Sequence, residues 1–470
     1  MYTHRHFGER DLPAPVTSAP TMTRDPARGR GARSVERGLP FGAGTLLLAI
    51  IVGGLLLRAF IAALWVPKSG FGIDIGDFSA WAQQMASIGP GAFYRAGFLS
   101  DYPPGYMYVL WALGLIGHAF QPLVGINITG GLVKIPGVLA DAGTAWLLFL
   151  FARRFLGRGV GDPVAERIGL AAATIYLFNP GVIFDSSVWG QVDSVGTFAI
   201  IGTLYLLARG WTEAASVGAV VCLLLKYQFA FVIPIVAIVG LKRHLFGRSS
   251  DPDHDGRPDA LRVLTSVASG LGSLVLLIFP YGLSLTPGAD PKTSLIGQFV
   301  KAAGTYTGLT INAFNLWMNP WSGLAGPRDT GGLTPSLFWG DDQQVAVVIG
   351  SFAVNWQLVG ALLFIAVALY AAWLLVRRDD AAGLLVVSLV IAVAFFVLPT
   401  RVHERYLFPA RSCTASCRSR SSPTSTAYTP RIGPSTRPSS TPGPPACPWP
   451  AIRSCRPRFC RRGGSMSSRP

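Results

Sequence analysis

Apolar runs of membrane-span length recur along this chain, at residues 45–66, 132–151, 168–184, 195–208, 214–225, 227–241, 262–279, 356–376 and 384–398, with short polar stretches between them. A hydrocarbon core of about 30 Å is crossed by about 20 helical residues. The pattern predicts an all-α, polytopic membrane protein with about nine transmembrane helices. The runs 214–225 and 227–241 are short, so either they extend into their flanks or Lys226 marks a break between partial helices. Interrupted segments are tolerated where they line protein or a water-filled cavity.

Charge sets the expected orientation. Seven Arg within residues 1–40 hold the start of the first run inside, which places a loop of about residues 67–130 outside. The apolar piece 103–120 decides the register of everything after it. If it crossed the membrane, the run 132–151 would carry Arg153, Arg154, Arg158 and Arg167 outward, against the positive-inside rule. Lying flat on the outer surface, it leaves all four inside. Its Pro-Pro start, two Tyr, Trp111 and His118 suit an interfacial helix. Surface helices in the first outer loop are therefore part of the expected fold.

Composition supports the membrane class, with 50% hydrophobic and 14% charged residues. The formal charge of +16 would point to nucleic acid or an anionic surface if it were spread evenly. It is not. Residues 411–470 hold eleven Arg and no acid, whereas 41–410 carry 22 basic and 20 acidic residues. A nucleic-acid partner is not expected. Residues 1–40 read as a disordered cytoplasmic leader. Residues 411–470, in which Arg, Ser and Pro make up 35 of 60, read as a disordered or out-of-frame tail. Five of the six Cys lie there, with no His after His403 and no repeated C-x-x-C, which argues against zinc.

Under this topology the polar residues collect at the outer face. Asp74 and Asp77 lie three apart in a Gly-flanked turn, where either is a candidate for chemistry or simply a helix cap. Asp185, Gln191 and Asp193 follow an Asn179-Pro180 helix stop, in a stretch that otherwise reads as a polar turn. Lys134 and Asp141, seven apart, project from one helix face about 10 Å apart; a buried structural pairing with neighbours competes with a ligand role. Lys226 either snorkels to the interface or meets a phosphate. His403, Glu404 and Arg405 are juxtamembrane charge or a substrate contact. The series Asp251, Asp253, Asp255, Gly256 imitates a calcium loop, but Arg262 stands where a bidentate Glu is needed.

Five motifs carry a resemblance: DYPPGY at 101–106, WGQVDS at 189–194, KYQ at 226–228, NAFNLW at 312–317 and HERYLFP at 403–409. Over residues 45–410 the chain resembles the GT-C membrane glycosyltransferases that use polyprenyl-phosphate sugars. In particular it is similar to bacterial relatives of the second mannosyltransferase of the GPI-anchor pathway. The resemblance implies a GT-C-like membrane domain over 41–410, in a bacterial plasma membrane with its active site facing outward. It implies inverting transfer of a hexose, mannose by this likeness, from a polyprenyl monophosphate to a glycan or glycolipid acceptor. No cofactor is implied, and a divalent metal is left open.

By resemblance the essential acid is Asp74, seven residues before Trp81, with Asp77 as competitor. Lys226 would approach the donor phosphate, and Arg405 likewise. The other motif residues, Asp101, Tyr102, Trp189, Gln191, Asp193, Gln228, Asn312, Asn315, His403 and Glu404, join Lys134 and Asp141 as candidate substrate contacts. A transporter of a lipid-linked oligosaccharide or small solute is the alternative class, and would carry repeated halves and mid-membrane polar residues, neither of which is evident. An inactive truncated relative is the third reading.

Overall fold

The computed structural model describes residues 42–65, 72–96, 100–126, 128–251, 257–286, 290–305, 307–311, 313–318 and 341–412. The expected leader, Asn312, Asp253, Asp255 and the segment from residue 413 lie outside them. Arg411 and Ser412, expected to open the tail, still belong to a helical turn over 408–412.

The described chain is mostly helical. α1 (Ala43–Phe60) runs into a π turn, Ile61–Trp65, and is followed by α2 (Gly72–Ile88), the short α3 (Pro90–Phe93), α4 (Pro104–Val124) and α5 (Thr129–Leu132). α6 (Ile135–Val160) and α7 (Asp162–Leu177) come next, then α8 (Pro180–Ile183) with a π turn at Phe184–Trp189. Asn179 ends α7 as expected: preceding Pro180, it is held out of the helical region at ψ 123°, and its side chain accepts from the Gly181 N–H. The resulting bend is 52°.

α9 (Asp193–Ala208) and α10 (Thr212–Leu225) form the centre, α9 packing on α6 and α10, and α10 on α12 (Ala260–Ile278). Lys226 is the break anticipated in the sequence, fully extended at φ −163° and ψ 134° between α10 and a 3-10 turn, Tyr227–Phe231. α11 (Val232–Gly240), ending in a π turn at Leu241–Leu245, precedes α12, and a 3-10 turn at Phe279–Tyr281 follows it. α13 (Leu295–Thr305), a hairpin of β1 (Val345–Ile349) and β2 (Phe352–Asn355), α14 (Trp356–Arg377), α15 (Ala381–Val397) and a 3-10 turn at Glu404–Leu407 complete the order.

The hairpin departs from the all-α expectation. Its β-branched residues on either side of Gly350-Ser351 are a local strand-turn-strand signal that a search for membrane-length runs passes over.

Six helical stretches among the described residues are long and apolar enough to cross a membrane: Ala43–Ala63, Pro104–Val124, Thr129–Phe155, Tyr227–Leu245, Ala260–Tyr281 and Trp356–Arg377. The bent α7 and α8 pair makes a seventh if it is one span. Large apolar side chains point outward from these helices, among them Leu48 and Leu56 on α1, Leu264 and Leu276 on α12, and Leu362 and Leu369 on α14. Such faces are unfavourable in water and favourable against lipid. The protein is membrane-integral and multi-pass.

α9, α10 and α15 are shorter, at 16, 14 and 17 residues. At 1.5 Å per residue, a 14-residue helix reaches about 21 Å, well under the core thickness. At one end of α10, Glu213 pairs with a half-exposed Arg262 at 2.8 Å, as suits a headgroup-level ion pair. The other end, at Lys226, is therefore recessed.

α4 is among the six by length and composition, but its neighbours are unlike those of a through-going span. Its start meets the bundle: a Cβ on Gly105 would strike the Leu224 backbone at 2.5 Å, and the Tyr108 hydroxyl donates to the Leu277 carbonyl at 2.9 Å. Both contacts are at the last turn of a helix, α10 or α12. Further along, α4 lies on the other loop helices, so closely that a Cβ on Gly114 would stand 2.0 Å from the Ala82 carbonyl oxygen of α2. Phe78, Trp81, Tyr102 and Tyr106 interlock edge-on beneath, with centroids 5.5 to 6.1 Å apart.

Candidate active site

The polar residues foreseen for one face do gather at one end of the bundle, on two halves joined by the His403–Arg405 segment. The first half is built on α2. Asp74 and Asp77 are in the helix itself, not in a turn before it, and the spacing of three sets them on one face. Asp74 Oδ2 accepts from Trp189 Nε1 at 2.6 Å and Gln191 Nε2 at 2.7 Å. Trp189 ends the π turn and Gln191 follows it, and Gly190 between them takes φ +80°, a left-handed turn that lets the two side chains converge on one oxygen. Asp74 Oδ1 takes neither bond. Lys134, half-buried at the start of α6, lays its stem against Gly190, and Cγ would be 3.2 Å from a Cβ placed there.

Asp77 is exposed. Partial burial, then the negative charges of Asp74 and Asp101, push its carboxyl above the usual range. Asp101 is raised in the same sense, chiefly by burial, with Lys226 and Arg405 opposing.

The second half is built on the recessed ends of α9 and α10. Asp193 Oδ1 accepts from Lys226 Nζ at 3.0 Å and from Gln228 Nε2 at 2.8 Å. The extended backbone at residue 226 gives the lysine that reach. Its ammonium also lies over the rings of Tyr102, at 5.7 Å, and Tyr406, at 5.0 Å. Thus Lys226, set against a phosphate in the sequence reading, has a carboxylate partner in this state.

Arg405 links the halves. Its guanidinium stands 5.3 Å over the Trp189 ring and contacts Glu404 at 3.5 Å, while Nε has no hydrogen-bond partner. His403 is buried beside Arg405 and Lys226; burial first, and then those two cations, lower its pKa and keep it neutral. Asn315 belongs to a turn that docks on the end of α15, where Trp317 Nε1 donates to the Leu398 carbonyl at 2.8 Å; the Asn315 Nδ2 group has no partner.

Several buried acceptors here lack a donor: Asp185 Oδ2, Asp193 Oδ2, Gln191 Oε1 and Gln228 Oε1. Among the described residues, no three His, Cys, Asp or Glu side chains converge to hold a metal ion.

Asp141 is the clear reassignment. It does not act with Lys134 as a ligand pair: it is fully buried between helices, bonded by Arg58 Nε at 3.1 Å and the Tyr176 hydroxyl at 3.1 Å. This is the structural pairing that was the competing reading. Arg58 itself was passed over, although a lone arginine inside an apolar run signals a buried partner. Tyr406, whose ring lies under the Lys226 ammonium, stands within HERYLFP but carries no charge to mark it in the sequence. Asp342, which accepts from Thr400 Oγ1 and Arg401 and so fixes the segment leading into His403, has a partner 59 residues away and left no trace in the sequence.

No protein-family model matches the chain, and no curated protein matches it in sequence.

Proposed function

We propose that the protein is an inverting glycosyltransferase, taking a hexose from a polyprenyl monophosphate and passing it to a hydroxyl of a glycan or glycolipid at this end of the bundle. What carries the reading is one arrangement. A carboxylate held by two donors at a single oxygen, Asp74, gathers at one end of the bundle with two cations, buried Lys226 and half-buried Arg405, and with a surplus of acceptor groups.

In the reaction, Asp74 Oδ1 accepts the proton of the acceptor hydroxyl while that oxygen bonds to the anomeric carbon. The bond from the anomeric carbon to the phosphate oxygen breaks, and the lipid phosphate leaves. Arg405, with a free Nε donor, is the first cation it meets; Lys226 follows once it exchanges Asp193 for the phosphate. Orphaned acceptors on Gln191, Gln228 and Asp193 suit the hydroxyls of a sugar.

The contacts of α4 support nine spans with α4 on the surface, since its start meets the last turns of α10 and α12 and its later part lies on α2. The positive-inside rule favours an outward-facing site, and the resemblance to bacterial relatives favours a bacterial plasma membrane. Incubating membranes that hold the protein with a panel of radiolabelled polyprenyl-phosphate hexoses tests the reaction. Transfer of label from one of them, mannose first, into glycolipid or glycan is expected; no transfer from any of them removes the proposal.

A further inference from the structure

The hairpin of β1 and β2 is apolar on both faces and exposed on both. Phe352 is 77% exposed, Val348 and Ile349 64% each, and Val345 56%. No charged residue occurs from Gln343 to Val376, through the hairpin and all of α14 but its last residue, Arg377. In water, such a hairpin offers both apolar faces and unpaired strand edges to any passing chain. Deep in hydrocarbon, those unpaired backbone groups would be equally unfavourable. The boundary between the two satisfies both requirements.

Its position agrees with that. Asn355, the last residue of β2, caps α14 by accepting from the Leu358 N–H at 2.9 Å, so strand passes to span without a linker. α14, at 22 residues, reaches about 33 Å and fills the core by itself. Its outward residues Leu358, Leu362, Ile365 and Leu369 continue the apolar surface of the hairpin downward. At the base, Trp356 N donates to the Gln344 carbonyl and Gln357 N to the Asp342 carbonyl, which holds the hairpin on the rim of the bundle.

We propose that the hairpin is a membrane-surface anchor whose tip, Val347 to Phe352, lies in the headgroup and upper acyl region of the leaflet on the side of the candidate site. The anchor is not isolated from that site. Asp342, at its base, is fully buried and accepts from Thr400 Oγ1 at 2.8 Å and from Arg401 Nε at 2.6 Å. Arg401, held by these bonds at φ 63°, stands four residues before Arg405. A hairpin fixed to the lipid surface thus sets the height of the arginine segment relative to the bilayer.

The test uses the full chain in phosphatidylcholine vesicles that contain one of two photoactivatable phosphatidylcholines, with a diazirine close to the headgroup or at the acyl terminus. Labelled residues are mapped by mass spectrometry. The headgroup-proximal probe is expected to label the 347–352 stretch at least half as strongly as the Leu358 end of α14, and the acyl-terminal probe several-fold less. Labelling confined to α14 with either probe overturns the proposal. In a second measurement, Ser351→Cys is introduced with the native cysteines changed to serine. Efficient cross-linking between copies through Cys at 351 would assign the surface to a second molecule instead, whereas its absence together with lipid labelling supports the anchor.

Discussion

The two ends of the central helices treat a buried aspartate in opposite ways. At the end away from the candidate site, Asp379 is fully buried between α14 and α15 and has every lone pair engaged. Lys242 at 2.6 Å, Ser250 N and Oγ at 2.7 Å, Arg243 Nε at 2.7 Å and Ser249 Oγ at 2.6 Å all donate to its two oxygens. At the site end, Asp193 is equally buried, yet only Oδ1 is bonded, and its neighbours Asp185, Gln191 and Gln228 each keep a bare acceptor. A closed network rigidifies the fold; one left partly open can take a ligand. The same side-chain chemistry therefore holds the protein together at one end and is free to rearrange at the other.

The largest effect that separates the two ends is on stability. Asp379→Ala takes the shared counter-charge from Lys242 and from buried Arg243, which keeps Asp251 at 3.5 Å, and costs about 3 kcal/mol. Thermal unfolding in detergent should show it, while transfer per folded molecule stays near the wild-type rate. Its pH dependence has a definite sign. Burial alone would raise Asp379, but the bonds from Lys242, Ser249, Ser250 and Arg243 outweigh it and hold the carboxyl well below its ordinary value. The stabilisation is therefore complete above the unfolded-state pKa, about 3.9, and is lost as pH falls through the lower folded value. Between pH 5 and 8 it should be flat.

Asp74→Asn probes the other end. An amide oxygen in the place of Oδ2 still accepts from Trp189 and Gln191, so the site keeps its arrangement and only proton acceptance is lost. Sugar transfer should fall about 100-fold, and the melting temperature should barely move. A large drop in melting temperature with transfer per folded molecule retained would make Asp74 a second Asp379, and the contrast between the ends would fail.

Arg405→Lys is expected to act less strongly. The charge stays, but the ammonium lacks the planar fork that stacks on Trp189 and leaves Nε available. The KM for the lipid-phosphate donor should rise about 10-fold with kcat less affected, measured at constant lipid composition. Lys226→Met is a poorer probe, because it would leave Asp193 buried and unpaired and so mix stability with binding.

How much of this was legible in the chain differs between the ends in the same way. The break at Lys226, the stop at Asn179-Pro180 and the gathering of Asp74, Trp189, Gln191, Asp193 and Arg405 follow from local signals: run length, proline, and polar residues at the rims of apolar runs. The Asp379 network did not. Its members come from two segments, 242–250 and 379, up to 137 residues apart, and Lys242 and Arg243 alone read as ordinary positive-inside charge. The same holds for Asp342 with Arg401, and for Arg58 with Asp141, where one partner was noticed and the other was not. Pairings across helices are tertiary facts, and a lone charge says only that a partner is needed. Within the site, the sequence also misjudged the state of Lys226: a lysine with no acid nearby in sequence finds Asp193 only because α9 and α10 are antiparallel neighbours whose ends meet.

The smallest expected effect is at Asp77, and it sharpens the assignment of roles within α2. Asp77 is exposed and carries none of the Asp74 hydrogen bonds, so Asp77→Asn should lower transfer less than about threefold at neutral pH, in the range of an indirect electrostatic change. Its influence lies in the acid limb. Partial burial, Asp74 and Asp101 raise the Asp77 carboxyl, and Asp101 is itself raised, chiefly by its own burial. Coulombic coupling is reciprocal: removing the negative charge at residue 77 relieves the repulsion on Asp101, which then holds its proton less tightly. The fall in rate toward low pH should move to lower pH by a few tenths of a unit in Asp77→Asn, in a kcat/KM profile against pH. If Asp77→Asn abolishes transfer while Asp74→Asn does not, the proton acceptor is the exposed carboxylate, and the two-donor clamp on Asp74 serves only to hold α2 against Trp189 and Gln191.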